Sequence, residues 1–190
     1  MRILITAFEP FGGEEYNTSA EVLKLLPDRI GKHCVEKLIL PVVFGEAGRM
    51  VLEHPADVIF LLGEAGGRKT VTPEKGAENI RNARLPDNRG SRPIREPVLA
   101  GGPERYETTI PVCDIVKRMQ AEGYRIEASS DAGTFVCNDT FYLVGTGSVV
   151  PVDFIHVPHG TERYDQTVLR YIELAVDQKR GSDGTEYVRK

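Results

Sequence analysis

Five apolar residues stand in an unbroken row at Val58-Ile59-Phe60-Leu61-Leu62, with no polar residue alternating among them. A strand of that kind has both faces covered, and sheets covered on both faces are built from parallel strands joined by helical crossovers. The segments around it supply the crossovers. Arg2 to Thr6 predicts a first strand, Glu36 to Val43 a second and Asp57 to Leu62 the third. Between them, Thr18-Ser19-Ala20-Glu21 matches a capping box and opens a helical face of Val22, Leu25 and Leu26, closed by Pro27. Gly45 to Glu53 predicts a short helix with Ala47, Met50, Val51 and Leu52 as its apolar positions. Further on, Pro111 to Gln120 predicts a helix, Arg125 to Ser129 a fourth strand, Val152 to Val157 a fifth, and Glu162 to Gln178 a long amphipathic helix. Strand–helix alternation of this kind is an α/β fold with a mostly parallel sheet.

A chain of 190 residues holds one substantial core, so a single domain over residues 1–180 is expected. Residues 181–190 lack apolar periodicity and read as a disordered tail. The net charge of -4 and the lack of a Lys/Arg run argue against nucleic acid as a partner. No apolar run is long enough to span a bilayer, and the first six residues carry one basic residue without the extended apolar core of a secretory signal. Cys34, Cys113 and Cys137 are odd in number and widely spaced. That pattern is neither a disulfide framework nor a metal site, and it suits a reducing cytoplasm.

From Gly63 to Pro111 the regular pattern lapses into Gly, Pro, Arg and Asn, with room for short hidden strands. Irregular stretches of this length inside a domain are usually functional. One part, Gly63 to Thr70, nearly matches a phosphate-binding GxxxxGK[ST] loop. It fails because Arg68 stands where that loop needs glycine, and Val71-Thr72-Pro73 follows where a helix should begin.

Reactive groups in parallel sheets gather at the carboxyl ends of the strands. Those ends carry Phe8, Glu64, Cys137 and His156. Asp131-Ala132-Gly133 breaks the fourth strand, and Asn138-Asp139-Thr140 supplies cap-type side chains for a new helix, so Cys137 falls at a helix mouth. There, unpaired N–H groups and the positive helix end favour a thiolate. Alternation puts His156 on the face opposite Ile155 and Val157. A cysteine and a histidine meeting across strand ends form a nucleophile with its general acid and base, and Glu74 is a candidate to orient the imidazole. Taken singly, each has a bland reading: a buried apolar cysteine, a core histidine, a solvated loop glutamate.

Five blocks in order carry a family resemblance: AFEPFGG at 7–13, GEAGGR at 63–68, TPE at 72–74 with ARLPDN at 83–88, AGTFVCN at 132–138 and FIHVP at 154–158. On these the chain resembles pyroglutamyl peptidase I, a family of cysteine peptidases also called pyrrolidone-carboxylate peptidases. The resemblance implies a single-domain three-layer α/β/α sandwich, cytoplasmic and commonly tetrameric, that removes an amino-terminal pyroglutamyl residue from peptides without a cofactor or metal. It implies Cys137 as nucleophile, His156 as acid and base, and Glu74 as the third catalytic residue. It also implies Phe8 and Phe11 against the pyroglutamyl ring, Asn17 on the lactam, and Arg84 near the developing oxyanion. The alternative is a homologue that has lost hydrolysis and binds pyroglutamyl-type ligands. The sequence departs from the family pattern at Ala7, Thr18, Ala20 and Gly76, and it adds acids at Glu64, Glu78 and Asp131, which are expected beside an uncharged pocket.

Overall fold

A computed structural model describes the chain from Met1 to Ser182. Side chains beyond Asp177 and the residues from 183 onward are not described, so most of the expected tail lies outside the described residues. In chain order the elements are β1 (Arg2–Phe8), α1 (Thr18–Leu25), β2 (Arg29–Ile30), β3 (His33–Leu40), α2 (Glu46–Leu52), β4 (Val58–Glu64) and β5 (Thr72–Glu74). They continue with β6 (Gly76–Glu78), β7 (Arg105–Glu107), α3 (Val112–Ala121), α4 (Val136–Gly147), β8 (Val152–Val157) and α5 (Asp165–Ser182).

Six strands form one sheet in the order β2-β3-β1-β4-β8-β5. The inner four run parallel, while β2 and β5 close the two edges antiparallel to their neighbours. The apolar run of β4 is buried on both faces as its composition requires: Val58, Phe60 and Leu62 join one core, Ile59 and Leu61 the other. The first core takes the inward faces of α1, α3 and α5, and the second takes those of α2 and α4. The result is a three-layer α/β/α sandwich. Among the described residues, no helix is long and apolar enough to cross a membrane.

Several expectations need correction. Arg125 to Ser129 does not make a strand of the sheet; it contributes only the bridges Val71–Ile126 and Glu74–Ser129 beside β5. Its partner strand is three residues long and contains Pro73, which has no N–H to give, so no continuous ladder can form. The cap of α1 is Asn17 and not Thr18: the Asn17 side chain accepts from the Ser19 N–H at 3.0 Å, and Thr18 N–H donates to Glu64 instead. At α4 the helix begins at Val136, two residues before the expected cap group, and Phe135 at the cap position makes no side-chain hydrogen bond. The final helix runs from Asp165 to Ser182, three residues later than its periodicity suggests, and takes in the first two residues of the expected tail.

Candidate active site

Cys137 lies in the first turn of α4, where helical N–H groups have no intrahelical partner. The helix carries it onto β4 at Gly63: a Cβ built on that glycine would stand 2.9 Å from Cys137 Sγ and 2.6 Å from the Phe154 ring. Gly63 is paired in register with His156 on β8. The thiol therefore rests on bare backbone directly beside the imidazole-bearing residue. Alternation along β8 puts Phe154 and His156 together on the α4 side, with ring centroids 4.7 Å apart.

On the far side of the imidazole is Glu74. β5 pairs antiparallel with β8, and His156 Nδ1–H donates to Glu74 Oε1 at 2.8 Å. The Glu74 side chain is 0% exposed. Fixing the proton on Nδ1 leaves Nε2 as the ring's free acceptor. The same carboxylate oxygen takes Arg68 Nη2 at 3.0 Å. Thiol, imidazole and carboxylate thus come from a helix start, an inner strand and an edge strand.

The thiol's electrostatics differ from the expectation of a resting thiolate. Burial pushes the Cys137 thiol up to about 12, and the negative charges of Glu74 and Glu64 add to the effect. Loss of solvation and two nearby anions outweigh the helix end. These effects oppose a resting thiolate and put the demand for a base at the moment of attack.

At the loop that leads into α4, a cavity of about 300 Å³ is lined by Phe11, Asn82, Arg84, Leu85, Gly133, Thr134 and Phe135. Phe11 faces Phe135 at 5.7 Å between centroids, and Phe44 meets Phe135 edge-on at 5.3 Å. Arg84 is exposed at the cavity wall. Phe8 is not in that wall; it is 2% exposed and packs under Phe154. Asn17 is also buried away from it, with Oδ1 accepting from the Ser19 N–H and hydroxyl and Nδ2 donating to the Glu9 carbonyl. Asn82 and Phe135 are among the lining residues that sequence reasoning missed.

The three added acids are each engaged elsewhere than the cavity. Glu64 accepts from the Thr18 N–H at 2.7 Å and from His159 Nδ1 at 2.9 Å. Glu78, whose side chain is 47% exposed, is ion-paired with Arg105. Asp131 accepts from the Gly133 N–H at 2.9 Å and so shapes the turn ahead of α4.

A thiol at a helix start, with an imidazole held by a buried carboxylate next to a small aromatic cavity, defines the class of cysteine-type hydrolases. The sequence matches the pyroglutamyl peptidase family over residues 1–169. The chain belongs to that family. It is 40% identical over 172 residues to a pyrrolidone-carboxylate peptidase of Staphylococcus saprophyticus, covering 86% of this chain and 81% of that one. It is 37% identical to the pyrrolidone-carboxylate peptidase of Thermococcus kodakarensis, covering 100% of this chain and 91% of that one. Among solved structures, a mutant pyrrolidone carboxyl peptidase from P. furiosus superposes with a TM-score of 0.85 at 32% identity, covering 94% of this chain and 99% of that one. Pyroglutamyl peptidase I from Bacillus amyloliquefaciens superposes with a TM-score of 0.82 at 33% identity, covering 92% and 94%.

Proposed function

We propose that this protein is a cysteine exopeptidase that removes an N-terminal pyroglutamyl residue from peptides. The observation that carries the reading is the buried Glu74–His156 hydrogen bond beside the thiol-bearing start of α4. In the reaction, Cys137 Sγ attacks the pyroglutamyl carbonyl carbon while His156 Nε2 takes the thiol proton. Glu74 holds the Nδ1 side of the ring and balances the imidazolium. The oxyanion is met by the Cys137 N–H and by Arg84. His156 then returns its proton to the departing amine, and water cleaves the thioester to free pyroglutamate.

Phe11 and Phe135 grip the lactam ring, and Phe8 supports the pocket from below through Phe154. Asn17 acts at one remove, holding the Glu9 carbonyl and thereby the loop that presents Phe11. By the family resemblance the enzyme works in the cytoplasm as a homo-oligomer, a tetramer; gel filtration tests the assembly.

The decisive assay is release of a chromogenic amine from its pyroglutamyl amide, with the prolyl amide as comparator. Proline has the same ring size but lacks the lactam carbonyl and carries a protonated amine. The cavity wall holds Arg84 and no carboxylate, so the prolyl ammonium would be desolvated there against a like charge. Pyroglutamyl amide should be cleaved readily and prolyl amide almost not at all. Cys137→Ala should abolish turnover, His156→Ala should lower it on the order of a hundredfold or more, and His159→Ala should spare it. Equal cleavage of both amides, or turnover by Cys137→Ala, would overturn the reading.

A further inference from the structure

Arg68, the residue that spoils the phosphate-loop pattern, has no part in the chemistry above, yet its guanidinium points into the site. Its Nη2 donates to Glu74 Oε1 at 3.0 Å, to Ser129 Oγ at 3.1 Å and to the Asp131 carbonyl at 2.7 Å. The arginine side chain is 29% exposed while the carboxylate it reaches is fully buried. We infer that Arg68 is a positioning residue: it holds Glu74 as an anion fixed on the Nδ1 side of His156, so that Nε2 stays free to take the thiol proton. The inference deepens the proposed reaction and rests on the Glu74–His156 pair being its acid–base apparatus.

The physical argument is one of proton count. A buried carboxylate without a cation is costly, and such a group relieves the cost by binding a proton. Among the described residues, Arg68 is the one permanent cation paired with Glu74; the other partner is the imidazole itself. Oε2 has no hydrogen-bond partner, so the contacts of Oε1 carry the anion. The other titratable groups facing it are Cys137 on α4, whose thiol is raised partly by the Glu74 charge, and Asp153 on β8, whose carboxyl is raised in small part by it. Neither supplies positive charge. Remove Arg68, and the Glu74–His156 pair binds one further proton up to a higher pH. Whether that proton settles as imidazolium beside carboxylate or as carboxylic acid donating to Nδ1, Nε2 carries a hydrogen in both arrangements. It then cannot accept from the thiol. The base is lost from the acid side of the pH range upward.

Arg68→Met and Arg68→Gln test this with two readouts. In the rate profile against pH for the pyroglutamyl amide, both variants should move the acid limb of kcat/KM to higher pH by roughly one unit. Below both limbs activity should then fall about tenfold, with much of it recovered above them. KM should change little, because Arg68 is not part of the cavity wall. Arg68→Lys should restore most of the limb. Ser129→Ala, which removes another acceptor of the same guanidinium and leaves the ion pair, should keep the wild-type limb. Should one neutral variant fail to fold, the other supplies the comparison.

The second readout is independent of turnover. Nitrogen-15 shifts of the His156 ring, assigned with His156→Gln, report whether Nε2 holds a proton at pH 7. Wild type should show a bare Nε2 and the neutral variants a protonated one. An unprotonated Nε2 in both neutral variants, or a loss of rate equal at every pH, would overturn the inference even if the amide is cleaved. A protonated Nε2 in the variants of a chain that cleaves no pyroglutamyl amide would uphold it and sink the proposed reaction instead.

Discussion

At Gly63 the absence of a side chain is what admits the thiol. Its φ is unremarkable, so conformational freedom is not the reason; the reason is the 2.9 Å between Cys137 Sγ and the position a Cβ would occupy. Gly63→Ala should push the thiol and the Phe154 ring off the strand. It should cost on the order of a hundredfold in kcat/KM, with far-UV circular dichroism unchanged; a fully active variant would show that the thiol has slack. The resting thiol makes a second test. With Cys137 pushed up to about 12, its alkylation by iodoacetamide should still be accelerating between roughly pH 8 and 10. Glu64→Gln removes one of the two anions that raise it and keeps an acceptor for Thr18, so labelling should be faster at each pH in that range. A rate that levels off near neutrality would mean the thiolate is already formed at rest. Cys137 and His156 could be singled out in the sequence because each sits at a helix or strand end where parallel sheets collect reactive groups, and Glu74, in an irregular stretch, mainly through the family resemblance. Phe135 could not, since an aromatic that lines a cavity and one that fills a core look alike in a sequence. The partners of two added acids were hidden for a related reason: Arg105 for Glu78 and His159 for Glu64 are far away in the chain, and Glu64 still acts on the thiol through its charge.

α4 does more than deliver the cysteine. The two residues after Cys137 were read as helix caps, and the structure turns both outward from the helix to hold other chain segments. Asn138 Oδ1 accepts from the Glu78 N–H at 2.9 Å, and its Nδ2 donates to the carbonyls of Glu78 and Ile80, each at 2.9 Å. Asp139 accepts from the Gly45 N–H at 2.6 Å and is ion-paired with Arg81. The helix start is thereby tied to the stretch that leads to Asn82 and Arg84 in the cavity wall. Asn138→Ala removes three hydrogen bonds at once, leaving the Glu78 N–H and the Ile80 carbonyl unpaired, and should lower unfolding free energy by about 3 kcal/mol in urea titrations. It should also depress kcat/KM, because the wall loses its anchor. Loss of stability with wild-type kinetics would separate the two roles. This tie was illegible because Asn and Asp are also the residues that cap helices, and only the spatial neighbours decide between the two uses. The elements themselves were far more legible. β4 announced itself through its unbroken apolar run and β8 occupies the residues its pattern indicates, while β3 starts at His33, three residues before the expected strand, and ends at Leu40. β2, β5, β6 and β7 are two or three residues each, too short for any periodicity to register.

Across the whole molecule, the proton carried by Asp153 links stability to pH. Asp153 lies under α5 with the Tyr171 hydroxyl donating to it at 2.6 Å, and burial pushes its carboxyl up to about 7, with a lesser contribution from the Glu74 charge. An aspartate in the unfolded chain titrates near 3.8, so the folded state is the one that holds the proton longer. The stability this gives is fully present below about pH 4 and is lost as pH rises through about 7. Asp153→Asn keeps the shape and an acceptor for Tyr171 without the charge. Relative to wild type it should be more stable at pH 9 than at pH 5 by roughly 2–4 kcal/mol, measured by urea unfolding. An equal difference at both values would place the pH dependence on other groups. The sheet's two margins set a different limit. Glu74 is carried by β5, three residues long, held on one side by β8 and on the other by isolated bridges to Ile126 and Ser129. Short margins of a sheet fray while the packed layers behind them stand. On gentle warming the enzyme should therefore fall silent before it melts, with spectra still native and activity restored on cooling. Its working lifetime is then set by three residues at a border, and the durability of the two cores behind them is no guide to it.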